Sequence, residues 1–205
     1  MKSKTIVYID GLNFYHAIRD LNLPHLKWVD LLSLSKSILR KHEALTDVRY
    51  YTAHSTWLPD SYYRHRQYTA ALEHLGATII YGQFKKKYLK CMKCGRKYTT
   101  REEKETDVNI AIDLVSDAFL DKYDRAILVT ADTDLAPPVN KVRAQFPKKE
   151  ILVVAPPGRM NRARELKHRY MFTAERLEEN LLPDKIVDAD GNEISTRPPE
   201  YDPPE

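Results

Sequence analysis

The chain has 205 residues, 42% of them hydrophobic and 30% charged, with a net charge of +4 and two cysteines. That length can bury a core without staples; two cysteines make no disulfide framework; and no apolar run approaches the roughly 18 residues of a membrane span. The opening Met1-Lys2-Ser3-Lys4-Thr5-Ile6-Val7-Tyr8-Ile9-Asp10 has too short an apolar stretch for a signal peptide, so a cytoplasmic location is expected.

Thr5–Ile9 reads as a short buried strand. It ends in Asp10-Gly11-Leu12-Asn13, and a helix begins at Phe14. Asp10 therefore stands at a strand's carboxyl end, where ligands bind in open α/β sheets. Asn13 can cap the helix or donate to a ligand held by Asp10. Leu21-Asn22-Leu23-Pro24 breaks that helix. Asp30 is placed to cap a second one through Leu39. Asp47–Ala53 reads as a strand, Pro59–His74 as a helix stopped by Gly76, and Ala77–Gly82 as a third strand.

A basic loop is expected over 85–101. It holds Lys85, Lys86, Lys87, Lys90, Lys93, Arg96, Lys97 and Arg101 and no acid, which leaves the rest of the chain net acidic. Such a segment is either a solvated loop or a polyanion contact. Tyr88 and Tyr98 within it favour nucleic acid, because rings stack on bases. The same segment carries Cys91-Met92-Lys93-Cys94-Gly95. One Cys-x-x-Cys supplies half the ligands of a closed zinc site. A second copy of the chain could bring the other half and make a homodimer; the alternative is two thiols and no metal.

Glu103–Val115 is expected to be a deeply packed helix. Asp107 lies in its first turn on the face shared by Ile110, Ala111 and Leu114, pointing inward. A plain interaction with the helix dipole is the other reading. Asp113 falls with Asn109, Ser116 and Asp117 on an outward face and ranks below Asp107. Ile127-Leu128-Val129 is a buried strand, and Thr130-Ala131-Asp132-Thr133-Asp134 follows it. Two acids at i and i+2 repel each other unless something positive stands between them. The bland reading is that Asp134 caps the helix beginning near Leu135, with Pro137-Pro138 in its first turn. Glu150–Ala155 is another strand. Asn161 is expected to start a helix rich in Arg162, Arg164, Lys167 and Arg169, whose bases, with Arg159, meet phosphates or face solvent.

Tyr170–Thr173 is a last short strand and Glu175–Leu182 a last helix. Residues 183–205 hold five prolines and seven acids against two bases, and form an extension to a domain spanning 1–182. Asp190-Gly191 suggests a hairpin turn. Arg197–Glu205 is expected to be extended or disordered.

Alternating strands and helices predict an α/β fold with a mostly parallel central sheet. Right-handed crossovers bring Asp10, Asp132 and Asp134 to one edge, and Asp107 joins them if the basic segment returns the chain to that edge. Hard oxygen donors with little histidine suit Mg²⁺ or Mn²⁺. A metal so held supports phosphodiester cleavage.

The run Ile6-Val7-Tyr8-Ile9-Asp10-Gly11-Leu12-Asn13-Phe14, then Glu103 through Leu114, then Leu128-Val129-Thr130-Ala131-Asp132-Thr133-Asp134-Leu135, resembles the NYN domain of LabA-like proteins, within the PIN-like nuclease superfamily. The resemblance spans about 4–175. It implies a three-layer α/β/α PIN-like fold and a metal-dependent endoribonuclease, acting on RNA ahead of DNA. It maps the acidic site onto Asp10, Asn13, Asp107, Asp132 and Asp134, with Thr130 nearby, and also matches Asp113 to an acid position. Ala131 departs from it, since glycine is common there. The alternative is a non-catalytic RNA-binding or regulatory protein built on the same fold.

Overall fold

The computed structural model describes residues 2–167 and 170–204. Arg169, counted among the bases of the expected helix, lies outside them. The first apolar run forms β1 (Ser3–Asp10), buried from Thr5 onward, and the chain turns directly into α1 (Gly11–Asp20). Next come α2 (Leu31–Lys36), capped by Asp30, and β2 (Glu43–Thr52). Then follow α3 (Pro59–His74) and β3 (Thr78–Tyr81), with Gly76 in the left-handed region between them. β4 (Gln83–Lys90) and β5 (Lys97–Lys104) make a separate antiparallel hairpin. α4 (Thr106–Phe119), β6 (Arg125–Val129), α5 (Ala136–Gln145), β7 (Glu150–Ala155), β8 (Tyr170–Met171) and α6 (Ala174–Glu178) complete the body.

β3-β2-β1-β6-β7-β8 pair in that order, every neighbour parallel. Successive side chains on a strand face opposite ways, so each strand feeds two cores. Val7, Ile9 and Val129 pack with α1, α2, α3 and α6 on one face, among them Phe14, Leu34, Leu72 and Leu177. Ile6, Tyr8 and Leu128 pack with α4 and α5 on the other, through Ile110, Leu114, Val139 and Val142. This is the three-layer α/β/α arrangement expected, with a wholly parallel sheet. The chain builds outward from β1 through β2 and β3, then returns to β1's other side as β6. The order reverses between β1 and β6, and an open sheet has its ligand crevice at the carboxyl ends of such strands. Asp10 and the Thr130–Asp134 loop flank that point.

Several local expectations change. The basic segment is not an open loop but most of the β4–β5 hairpin; lysines on both faces leave no apolar–polar alternation to read. No α-helix starts at Asn161. Among the described residues the chain makes a 3-10 turn at Arg164–Leu166, and of residues 161–167 Ala163 and Leu166 are the buried ones. Asp117 is not outward but 2% exposed, taking a hydrogen bond from Tyr8 and ion pairs from Arg49 and Lys122. The end of the tail is neither extended throughout nor loose. β9 (Lys185–Val187) and β10 (Glu193–Thr196) form the expected hairpin, and a 3-10 turn at Pro199–Tyr201 follows. Ser195 donates to the Gln67 carbonyl on α3, and the Tyr201 side chain joins the core. Among the described residues no helix is long and apolar enough to cross a membrane.

Candidate active site

Asp10 is both the last residue of β1 and the N-cap of α1. Its Oδ1 accepts the Asn13 backbone N–H at 3.0 Å, and its Oδ2 accepts the Thr130 hydroxyl at 2.8 Å. Thr130 Oγ1 in turn accepts the Asp132 N–H at 3.1 Å. The Asn13 side-chain oxygen accepts the Ala131 N–H at 3.1 Å. The β1–α1 turn and the loop after β6 are thus tied twice across the switch point. Asn13 is therefore not the cap; its side chain positions the neighbouring loop. Gly11 is required here. A Cβ on it would stand 2.5 Å from the Tyr51 carbonyl and 2.6 Å from the Tyr50 ring.

Asp132 Oδ1 accepts the Asp134 N–H at 3.0 Å and caps a 3-10 turn at Thr133–Leu135. Capping thus falls to Asp132, while α5 begins without a side-chain cap. Asp134 is left exposed. Asp107 sits half-buried in the first turn of α4. The residue before that helix, Glu105, is held at φ 86°, a left-handed conformation that is costly for a side chain with a Cβ.

The electrostatics join these acids into one group. Burial, followed by the Asp107 and Asp132 charges, raises the Asp10 carboxyl to about 7, against the hydrogen bonds from Asn13 and Thr130. Burial, then Asp132, Glu103 and Asp134, raises Asp107 to about 6. Glu103 was missed as an acid of this group. The sequence reading put it on a helix, whereas it lies near the end of β5 and accepts the Thr106 N–H at 3.0 Å. Asp113 is not brought in. Its carboxylate takes the Tyr51 hydroxyl at 2.8 Å and Arg49 at 3.3 Å.

Among the described residues, no group of three or more His, Cys, Asp or Glu is arranged to hold a metal ion. The donor set nonetheless fits a hard divalent cation by its chemistry. It is all oxygen, and two carboxyls are held partly protonated by burial and by their neighbours, a charge imbalance that a cation relieves.

The basic residues divide by strand register. Lys85 pairs opposite Glu102, Lys86 opposite Arg101, and Lys90 opposite Lys97. One hairpin face carries Lys85, Lys87 and Lys104, which meet Glu105 and Glu102. The other carries Lys86, Tyr88, Lys90, Lys97 and Arg101. Among the described residues no carboxylate lies within 4 Å of those cations, and Tyr88 is 78% exposed. Arg101 stacks over Trp57 at 4.0 Å, and Trp57 meets Phe84 edge-on, anchoring the hairpin's base. At its tip Gly95, at φ 71°, closes the turn between Cys91 and Arg96. Backbone N–H groups of Cys94 and Lys93 hold the Cys91 thiol below its ordinary pKa. Arg159 ion-pairs with Asp20 instead of standing free, and Arg162 is exposed.

A family model described as the NYN domain matches residues 4–174. The 6-hydroxy-3-succinoylpyridine 3-monooxygenase HspA of Pseudomonas putida is 28% identical over 195 residues, covering 78% of this chain. The match takes in 62% of that relative's length. A crystal structure of a Vibrio parahaemolyticus protein of unknown function superposes with a TM-score of 0.56 at 18% identity, covering 88% of this chain and 97% of that one. That likeness speaks to the fold alone.

Proposed function

The chain belongs to the NYN domain family, and from that premise we propose that it is a metal-dependent endoribonuclease. Its motif set points within the family to the LabA-like group. The observation that carries the reading is the Asp10 carboxylate at the switch point. It is locked by Thr130 and Asn13, and its pKa is raised by burial first and then by Asp107 and Asp132.

Asp10, Asp107, Asp132 and Asp134 would hold Mg²⁺ or Mn²⁺. When bound, the cation supplies a lowered pKa for water and offsets charge building on the phosphate. Thr130 and Asn13 fix the direction of the Asp10 oxygens. One carboxylate of the set would orient the attacking water. The unneutralised hairpin face, Lys86 through Arg101, would hold the single strand by charge and by stacking on Tyr88. A Cys91/Cys94 pair from each of two copies would complete a tetrahedral Zn²⁺ site and join the hairpins.

The test is cleavage of labelled single-stranded RNA and DNA across a metal series, with Asp10→Asn and Asp132→Asn as controls. Cleavage that needs the metal and both carboxylates is the expected result. Equal activity in wild type and both variants rejects the enzyme. RNA binding without cleavage over a broad panel leaves the non-catalytic reading.

A second reading, ring hydroxylation of a pyridine acid, is favoured by the named monooxygenase relative. Inserting one atom of O₂ and reducing the other to water takes two electrons from a reductant. It therefore predicts reductant-dependent oxygen uptake with such a substrate, and no uptake with any nicotinamide or flavin donor rejects it.

A further inference from the structure

On the α1 and α3 face, beside the acidic site but lined by none of its acids, lies a cavity of about 230 Å³. That is below the roughly 300 Å³ at which sites for drug-sized ligands begin, so its occupant is small. Five aromatic rings line it, from Phe14, Tyr15, Tyr50, Tyr68 and Tyr201. Tyr50 and Tyr68 meet at 90°, with centroids 5.9 Å apart. The Tyr50 ring also abuts Gly11, the residue after Asp10.

The charge on the lining is one-sided. Lys27 and Arg64 line the cavity and no acid does. Lys27 Nζ sits 4.9 Å from the Tyr15 ring centroid and 5.5 Å from that of Tyr201. Among the described residues, no carboxylate lies within 4 Å of it. Arg64 is partly answered by Glu200 at 2.8 Å. His65 adds no charge at neutral pH, since burial lowers it to about 4, and it bonds Thr52 at 3.1 Å. Tyr201 comes from the tail, so the C-terminal extension supplies one wall.

A flat aromatic lining binds flat rings through offset and edge-on contacts. An ammonium held between two rings, with no acid beside it, still has donors for an anion. We propose that this cavity binds one planar aromatic ring carrying an anionic group, with the ring among the tyrosines and the anion on Lys27. Two kinds of molecule offer that chemistry: a nucleotide, as base plus phosphate, and a free aromatic carboxylate. The proposal stands on the cavity and does not depend on nuclease activity.

The test is calorimetric titration of the full chain in EDTA with uridine 5′-monophosphate, uridine, pyridine-3-carboxylate and inorganic phosphate. None contains a phosphodiester bond, so binding is read apart from cleavage. Saturable binding of the nucleotide, the acid or both is expected, and which of them binds identifies the source. Uridine and phosphate alone should bind about tenfold more weakly, the loss of one charge-assisted contact. Lys27→Met keeps the aliphatic stem and should weaken the anionic probes about tenfold while leaving uridine unchanged. Tyr201→Ala should weaken every ring-bearing probe. Thermal melts of both variants check that they fold. The proposal is overturned if no probe saturates at low-millimolar concentration. It is equally overturned if phosphate binds as well as the nucleotide, or if folded Lys27→Met and Tyr201→Ala both bind as wild type does.

Discussion

The Thr130 hydroxyl donates to Asp10 Oδ2 across 2.8 Å and joins the ends of β1 and β6 at the point where the sheet order reverses. The same oxygen accepts the Asp132 N–H, so one hydroxyl sets the spacing of two acids. Thr130→Val keeps the shape and removes both roles. Groups that orient metal-binding carboxylates typically contribute roughly 10–100-fold to affinity or activity. Thr130→Val is expected to weaken Mn²⁺ binding by that order while the protein stays folded. Calorimetric Mn²⁺ titration checks this, and unchanged affinity removes Thr130 from the site.

The raised carboxyls make a pH prediction with a definite sign. Asp10 at about 7 and Asp107 at about 6 bind protons more tightly folded than unfolded. Their contribution to stability is fully present below the ordinary carboxylate pKa near 4, and is lost as pH rises through about 6 to 7. The metal-free protein should therefore lose melting temperature across that window. Asp10→Asn should flatten the loss, because its amide does not titrate. Mn²⁺ must displace these protons, so its affinity should rise with pH up to about 7. A wild-type melting temperature that climbs between pH 5 and about 7 relative to Asp10→Asn contradicts the assignment.

The sheet and the placement of Asp10 and Asp132 were legible because a parallel sheet demands continuous apolar runs. Ile6–Ile9 runs straight into Asp10, and Ile127–Val129 reaches Asp132 three residues on. What could not be read was partnership across the chain. Nothing near Asp117 in sequence announces Tyr8 or Arg49, which bury and pair it. The same holds for Asp113, whose helix-face position said nothing of Tyr51. The hairpin was obscured for another reason. Lysine fills both faces of β4, and only the register of β5 shows which lysines meet a glutamate. Tyr201 illustrates a third limit: an isolated aromatic in a proline-rich, acidic tail gives no periodic signal, yet it is buried against the body.

The two hairpin faces should behave differently toward RNA. Lys86, Lys90 and Lys97 share the face on which, among the described residues, no lysine is ion-paired, whereas Lys87 has Glu102 at 2.9 Å. Each phosphate contact on a single strand adds about 0.7 to the slope of log affinity against log salt. Replacing Lys86, Lys90 and Lys97 with glutamine should weaken single-stranded RNA binding and lower that slope by about 2. Replacing Lys85 and Lys87 should change the slope by much less. Filter binding at several salt concentrations measures both, and equal effects would show that the register does not select the binding face.

Stability and chemistry occupy opposite ends of this sheet, and one substitution separates them. Glu43 and Arg125 lie at the amino ends of β2 and β6, each 5% exposed, with Arg125 Nη1 at 2.8 Å and 3.0 Å from the two carboxylate oxygens. Removing one partner of a buried pair leaves a charge uncompensated, at about 3–5 kcal/mol. Glu150 stands 3.5 Å from Arg125 Nε and is half-exposed, so part of the charge stays answered. Glu43→Gln is therefore expected near the lower figure, about 3 kcal/mol by urea unfolding. The double replacement Glu43→Met with Arg125→Met should recover most of that loss, since packed apolar side chains substitute well for buried ion pairs. Metal binding by the folded fraction should match wild type, because Asp10 and Asp132 stand at the opposite, carboxyl end of the parallel sheet, closing β1 and following β6. A single variant that keeps its stability, or one that stays folded but loses Mn²⁺ affinity, would show that the two ends are coupled in a way this geometry does not predict.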